Sequence, residues 1–80
     1  MKKIILDWII NFLMTRFAIS AEATASISTL TETQISELLE GINKEYNVEI
    51  LRNDISTYID RFGSVSLNDL STIVFARVIA

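Results

Sequence analysis

The side chains best suited to chemistry in this chain are hydroxyls and carboxylates between residues 28 and 45. Five hydroxyls lie there: Ser28, Thr29, Thr31, Thr33 and Ser36. The 80 residues include no histidine and no cysteine, so the usual general base near neutral pH, the thiolate nucleophile and the commonest metal ligand are all missing. The sequence therefore predicts neither a stand-alone enzyme nor a metal site.

The carboxylates of this segment form a second candidate site. Glu32, Glu37, Glu40 and Glu45 fall on the polar side of a predicted helix and leave that side acidic. Such a face is able to attract a basic partner surface, or it is simply a solvated helix face that keeps the protein dissolved. The net charge of -3 and the absence of a basic patch argue against nucleic-acid binding, because neutralising phosphates needs clustered Lys and Arg.

The first predicted element is an amphipathic helix near the N-terminus. Asp7, Asn11 and Thr15 make one narrow polar stripe. The opposite face is apolar and consists of Ile5, Trp8, Ile9, Phe12, Leu13 and Phe17. Because Asp7 interrupts the apolar run, we expect a cytoplasmic helix rather than a signal peptide, and no stable insertion into a membrane.

Three further helices follow a long first loop, residues 18–30. Thr31-x-x-Gln34 predicts a capping box at the start of helix two, residues 32–45. Helix three is predicted at residues 55–62, capped by Asn53 or Asp54 and with Phe62 directed inward. Ser66-x-x-Asp69 predicts the start of helix four, residues 67–78. The expected fold is all-α, one four-helix domain over residues 1–80 with a short third helix.

Several of these segments resemble the acyl and peptidyl carrier proteins, the phosphopantetheine-binding family. The stretches K-E-Y-N-V-E-I at 44–50 and V-S-L-N-D-L at 65–70 are similar to that family's end of helix two and start of helix four. The sequence I-S-T-L at 27–30 resembles the segment before the family's Asp-Ser-Leu motif. The resemblance covers nearly the whole chain and implies a four-helix bundle of the acyl-carrier-protein type.

The chain departs from the family at the serine to which 4'-phosphopantetheine is attached. Counting back from Tyr46 places Glu32 at the serine's position, and counting forward from Ile27 places Gln34 there. Neither residue has a hydroxyl, so the expected cofactor is none unless a displaced residue is used, for which Ser28 is the best candidate. Glu32 then either imitates the charge of the phosphate or, as we favour, is an ordinary first-turn glutamate.

Three functions stay open on these residues. In the first, the chain is an accessory protein of a fatty-acid, polyketide or peptide assembly system that docks to synthase or transferase enzymes through Glu37, Glu40 and Glu45. In the second it is a working carrier with a displaced attachment residue. In the third it is an unrelated small helical interaction or regulatory protein. Apolar residues on more than one side of helix one also suggest a homodimer through that helix.

Overall fold

The computed structural model describes residues 1–80, and its regular secondary structure is helical. The four helices are α1 (Lys2–Phe17), α2 (Glu32–Tyr46), α3 (Arg52–Phe62) and α4 (Leu67–Ile79). A single 3-10 turn, Ile27–Thr29, lies in the long loop between α1 and α2. The all-α class and the number of helices predicted from the sequence are confirmed. No helix of the four has both the length and the apolar character that a bilayer crossing requires.

The capping box predicted for α2 is present, and the predicted start of α4 is a capping box as well. At the start of α2 the Gln34 backbone N–H donates to the Thr31 hydroxyl over 3.1 Å. The Thr31 backbone N–H donates to the Gln34 side-chain oxygen over 2.9 Å. Ser66 and Asp69 make the same reciprocal pair at the start of α4, with both distances 3.0 Å. These side chains satisfy N–H groups that have no partner inside a helix, which is why both helices begin where the sequence predicts.

The predicted start of α3 is wrong by three residues. The helix begins at Arg52, after Leu51, because the Leu51 N–H donates to the Asp54 carboxylate over 2.8 Å. Asp54 therefore acts from the third position of the helix rather than as its cap. As a result α3 has 11 residues against 13 in α4, so it is the shortest helix by a small margin only. Phe62, predicted to point inward, is 62% exposed.

All four helices contribute to one hydrophobic core. The 14 buried apolar side chains are Ile5, Ile9, Leu13, Ile27, Ile35, Leu38, Leu39, Ile42, Ile50, Ile55, Val65, Leu67, Leu70 and Val74. Three of them, Ile27, Ile50 and Val65, lie outside the α-helices, so the connections help to fill the core. Val48, two residues before Ile50, is half-buried and packs at the edge of this core.

The long first loop is held against the start of α4. The Ile27 N–H donates to the carbonyl of Val65 over 2.7 Å, and the Leu67 N–H donates to the carbonyl of Ala25 over 2.8 Å. Two of its hydroxyls make local backbone bonds: the Thr29 hydroxyl donates to the Ser26 carbonyl over 2.7 Å, and the Ser26 hydroxyl accepts from the Ser28 N–H. These backbone hydrogen bonds hold the loop against the start of α4 just before the chain enters α2.

Helices α1 and α2 run antiparallel with aromatic rings between them. Trp8 near the start of α1 meets Tyr46 at the end of α2, with ring centroids 5.9 Å apart. Between them, a Cβ atom at Gly41 would lie 3.0 Å from Phe12 and 3.1 Å from Trp8. The missing side chain of Gly41 therefore lets the α2 backbone approach these rings, which are half-buried against the core.

Candidate functional site

The first candidate site is the first turn of α2, where the resemblance to carrier proteins predicts the attachment position. Glu32 is the first residue of α2, directly after the cap Thr31. Gln34, the alternative position, is occupied by the capping box and holds the Thr31 backbone. Of the two positions, Glu32 alone is the first residue of the helix and has no part in the capping box, and its side chain is 79% exposed.

The Glu32 carboxylate is bound by a cation from the next helix. Arg52 Nη2 lies 2.7 Å from Glu32 Oε1, and Arg52 Nε donates to Glu32 Oε2 over 3.2 Å. These two hydrogen bonds, and then the guanidinium charge, lower the pKa of the Glu32 carboxyl. The same bonds raise the pKa of Arg52. The carboxylate stays ionised while its charge is balanced within the chain.

Ser28, the candidate for displaced attachment, lies in the 3-10 turn and is exposed. Its hydroxyl oxygen is 2.8 Å from that of Ser26, and its N–H donates to the Ser26 hydroxyl. Two residues, Leu30 and Thr31, separate this turn from Glu32, the first residue of α2. Ser28 is thus exposed, but it lies in a 3-10 turn and not at the start of an α-helix.

The acidic residues predicted to dock a partner divide into two kinds. Glu37 is partly covered, and its Oε1 lies 2.6 Å from Arg16 Nη2 of α1. Glu40 and Glu45 are exposed and have no cation within 4 Å. Glu40 and Glu45 are therefore the two acids of this set without an ion pair, while the charge of Glu37 is balanced by Arg16.

A shallow groove of about 220 Å³ lies between α1 and α2 beside this face. It is lined by Phe12, Arg16, Glu37, Glu40, Gly41 and Lys44. The groove contains two cations and two anions, so it is not a uniformly acidic surface. Glu40 is both at this groove and free of an ion pair, which makes it the most accessible acid there.

The sequence analysis did not predict two kinds of contact, the ion pairs made by arginines and the hydrogen bonds made by Asn43. Arg16 and Arg52 pair with acids 21 and 20 residues away, and a single sequence gives no signal of such distant pairs. Asn43, which accepts from and donates to the backbone of Ile50, was likewise not predicted. No group of three or more carboxylates, histidines or cysteines is arranged to hold a metal ion.

The surface proposed for a homodimer is smaller than the sequence indicates. Leu6 and Ile10 of α1 are half-buried and pack against the chain's own core. Ile4 and Met14 are exposed at 64% and 52%. A dimer through α1 stays a prediction that rests on these two side chains.

The chain matches no family model, no curated protein and no solved structure. The likeness to carrier proteins therefore rests on the sequence motifs alone.

Proposed function

We propose that this chain is a carrier-protein-like docking protein that has no prosthetic arm. It serves an acyl or peptidyl assembly system by binding a synthase or transferase rather than by carrying a substrate. The motifs around α2 and the start of α4 support the likeness, as do the long first loop and the capping box that begins α2.

The observation that carries the proposal is the occupation of the first helical position of α2 by Glu32. A carboxylate cannot form the phosphodiester that links phosphopantetheine to a serine hydroxyl. Arg52 binds this carboxylate at two points, so the side chain serves to join the starts of α2 and α3. This pairing favours a structural role for Glu32 over imitation of a phosphate, because a partner would meet an ion pair rather than a free negative charge.

The docking surface in this proposal is the exposed part of the α2 face, Glu40 and Glu45. Their free carboxylates suit a partner with a basic patch, and the main effect expected from such charges is on the rate of encounter and on partner choice. Glu37 contributes less, since Arg16 already balances its charge.

The proposal is tested by restoring a serine. If the fold is that of a carrier protein, a promiscuous phosphopantetheinyl transferase will modify the Glu32→Ser variant and leave the wild type unmodified. Modification of the wild type instead supports the second function, a working carrier, and Ser28 is its first candidate because it is exposed. Failure to modify either chain favours the third, an unrelated helical interaction protein.

A further inference from the structure

We propose that residues 51–64, which contain α3, form a strap that opens separately from the rest of the fold and is released by salt. This inference stands on the packing and charge of α3 and is independent of the proposed function. The strap is defined here as the 14 residues between the buried side chains Ile50 and Val65.

The first argument is that α3 is weakly anchored in the core. Ile55 is its one fully buried residue, whereas α1 and α2 bury three and four. Tyr58 and Ile59 are half-buried at the edge of the core, while Leu51, the residue before the helix, and Phe62 at its end are 52% and 62% exposed. Because hydrophobic stabilisation follows the apolar area removed from water, α3 gains less from packing than the other helices do.

The second argument is that ion pairs hold the first turn of α3. Arg52 reaches Glu32 of α2, and Asp54 Oδ1 lies 2.9 Å from Arg77 Nη2 of α4. Arg77 also donates to the Glu49 carbonyl over 2.8 Å, so one arginine links α4 to both sides of the strap's beginning. Both pairs are partly exposed, and salt screens such charges, with a Debye length of about 10 Å at 0.1 M and about 3 Å at 1 M.

The third argument is that the strap is bounded by two fixed points. Before it, Asn43 holds Ile50 through two hydrogen bonds of 2.8 and 3.0 Å. After it, the Val65 carbonyl accepts from Ile27 over 2.7 Å. Between the end of α3 and Val65 lies Gly63, with a φ of 87° and open space around it. Opening is thus confined to the strap, while the anchors keep the other three helices in register.

Opening of this strap would uncover the core side chains that Ile55 now covers. An apolar surface hidden in low salt and exposed on opening is a means of controlling when the chain binds a partner.

The test is native-state hydrogen exchange of the full chain, measured helix by helix at about 0.05 M and about 1 M NaCl. We expect the α3 amides to exchange fastest among the helices at low salt. We also expect high salt to accelerate them severalfold relative to the α2 amides, which serve as an internal reference. Equal protection of the α3 and α2 amides, or an α3 exchange rate that does not change with salt, would overturn the proposal. The wild-type chain alone is enough for this test.

Two variants sharpen the test. Arg52→Gln and Asp54→Asn each remove one ion pair, and Asp54→Asn keeps an oxygen to accept from the Leu51 N–H. Each is expected to speed exchange in α3 by about two- to fivefold and to leave α1, α2 and α4 unchanged. The matched control is Asp60→Asn, an exposed acid of the same helix with no ion pair. Acceleration of all four helices alike, or an equal effect of the control, contradicts the strap.

Discussion

Glu32 and Arg52 join the first residues of α2 and α3 through a two-point ion pair, with contacts of 2.7 and 3.2 Å. The two residues are 20 positions apart and belong to consecutive helices. The side chain that replaces the expected serine is thereby engaged in holding the next helix. In the proposed carrier-like interpretation, the residue at the predicted attachment position is thus also a tertiary contact between two helices.

The docking proposal predicts that the free acids of α2 control encounter with a basic partner. Replacing Glu40 and Glu45 by Lys should lower the association rate with a phosphopantetheinyl transferase by about tenfold at low salt. Glu37→Gln should have a smaller effect, because Arg16 already balances that carboxylate. Surface plasmon resonance at about 0.05 and 0.5 M NaCl measures both effects, and the difference between variants should shrink at the higher salt.

The control for this prediction is Glu22→Lys, which makes the same substitution once, and so half the charge change of the double variant, at an exposed acid in the first loop. If it slows association as much per charge as the α2 variants do, the effect comes from net charge and not from docking through α2. If none of the variants changes the rate, α2 is not the docking face.

Asn43 is predicted to be one of the most sensitive polar residues. Its side chain satisfies both the N–H and the carbonyl of Ile50, whose side chain is fully buried. Asn43→Ala leaves these backbone groups without partners and should lower the free energy of unfolding by about 1–3 kcal/mol. Urea denaturation measures the loss, and Asn11→Ala, at an exposed position of α1, should change stability by less than about 0.5 kcal/mol. Equal effects of the two substitutions would show that the bonds to Ile50 are not important to stability.

The capping carboxylate of α4 gives a prediction about pH. Hydrogen bonds from Ser66, chiefly from its backbone N–H, lower the pKa of Asp69. A group whose pKa is lower in the folded state stabilises the fold above its unfolded value, about 3.9 for Asp, and this stabilisation is lost as the pH falls through the folded value. Wild type should therefore exceed Asp69→Asn in stability by roughly 0.5–1 kcal/mol at pH 7, with the difference shrinking below about pH 4.

Urea denaturation of both chains at pH 7, 5 and 3 checks this prediction. Asp60→Asn, an exposed acid of α3 outside any cap or ion pair, is the control. A difference between wild type and Asp69→Asn that is unchanged at pH 3 would mean that the charge of Asp69 does not contribute through this cap.

The helices were predictable because their signals are local. Thr31 with Gln34 and Ser66 with Asp69 are three residues apart, and each pair sets a helix start within one turn. The start of α3 was missed because Leu51 has no capping side chain of its own and Asp54 supports the helix from inside. From the sequence alone Asp54 is predicted to be the cap, because Asp is one of the residues preferred at the N-cap of a helix.

The tertiary contacts of the site were not predictable for a different reason. Arg16, Arg52 and Arg77 each pair with an acid more than 19 residues away, and nothing in the spacing of a single chain selects those partners. The role of Gly41 in helix packing was also not predictable, because a glycine within a helix by itself indicates only lower helix stability. Only the positions of Phe12 and Trp8 show that it allows two helices to approach.

The most direct test of the account is the intact mass of the wild type and of Glu32→Ser after incubation with coenzyme A and a promiscuous phosphopantetheinyl transferase. A known carrier protein in the same reaction confirms that the enzyme is active, and circular dichroism confirms that the variant is folded. The account predicts one added phosphopantetheine on the variant, at the new serine, and none on the wild type. A folded variant that gains no mass, or a wild type that gains one phosphopantetheine, would contradict the claim that this is a carrier-like protein whose arm has been lost.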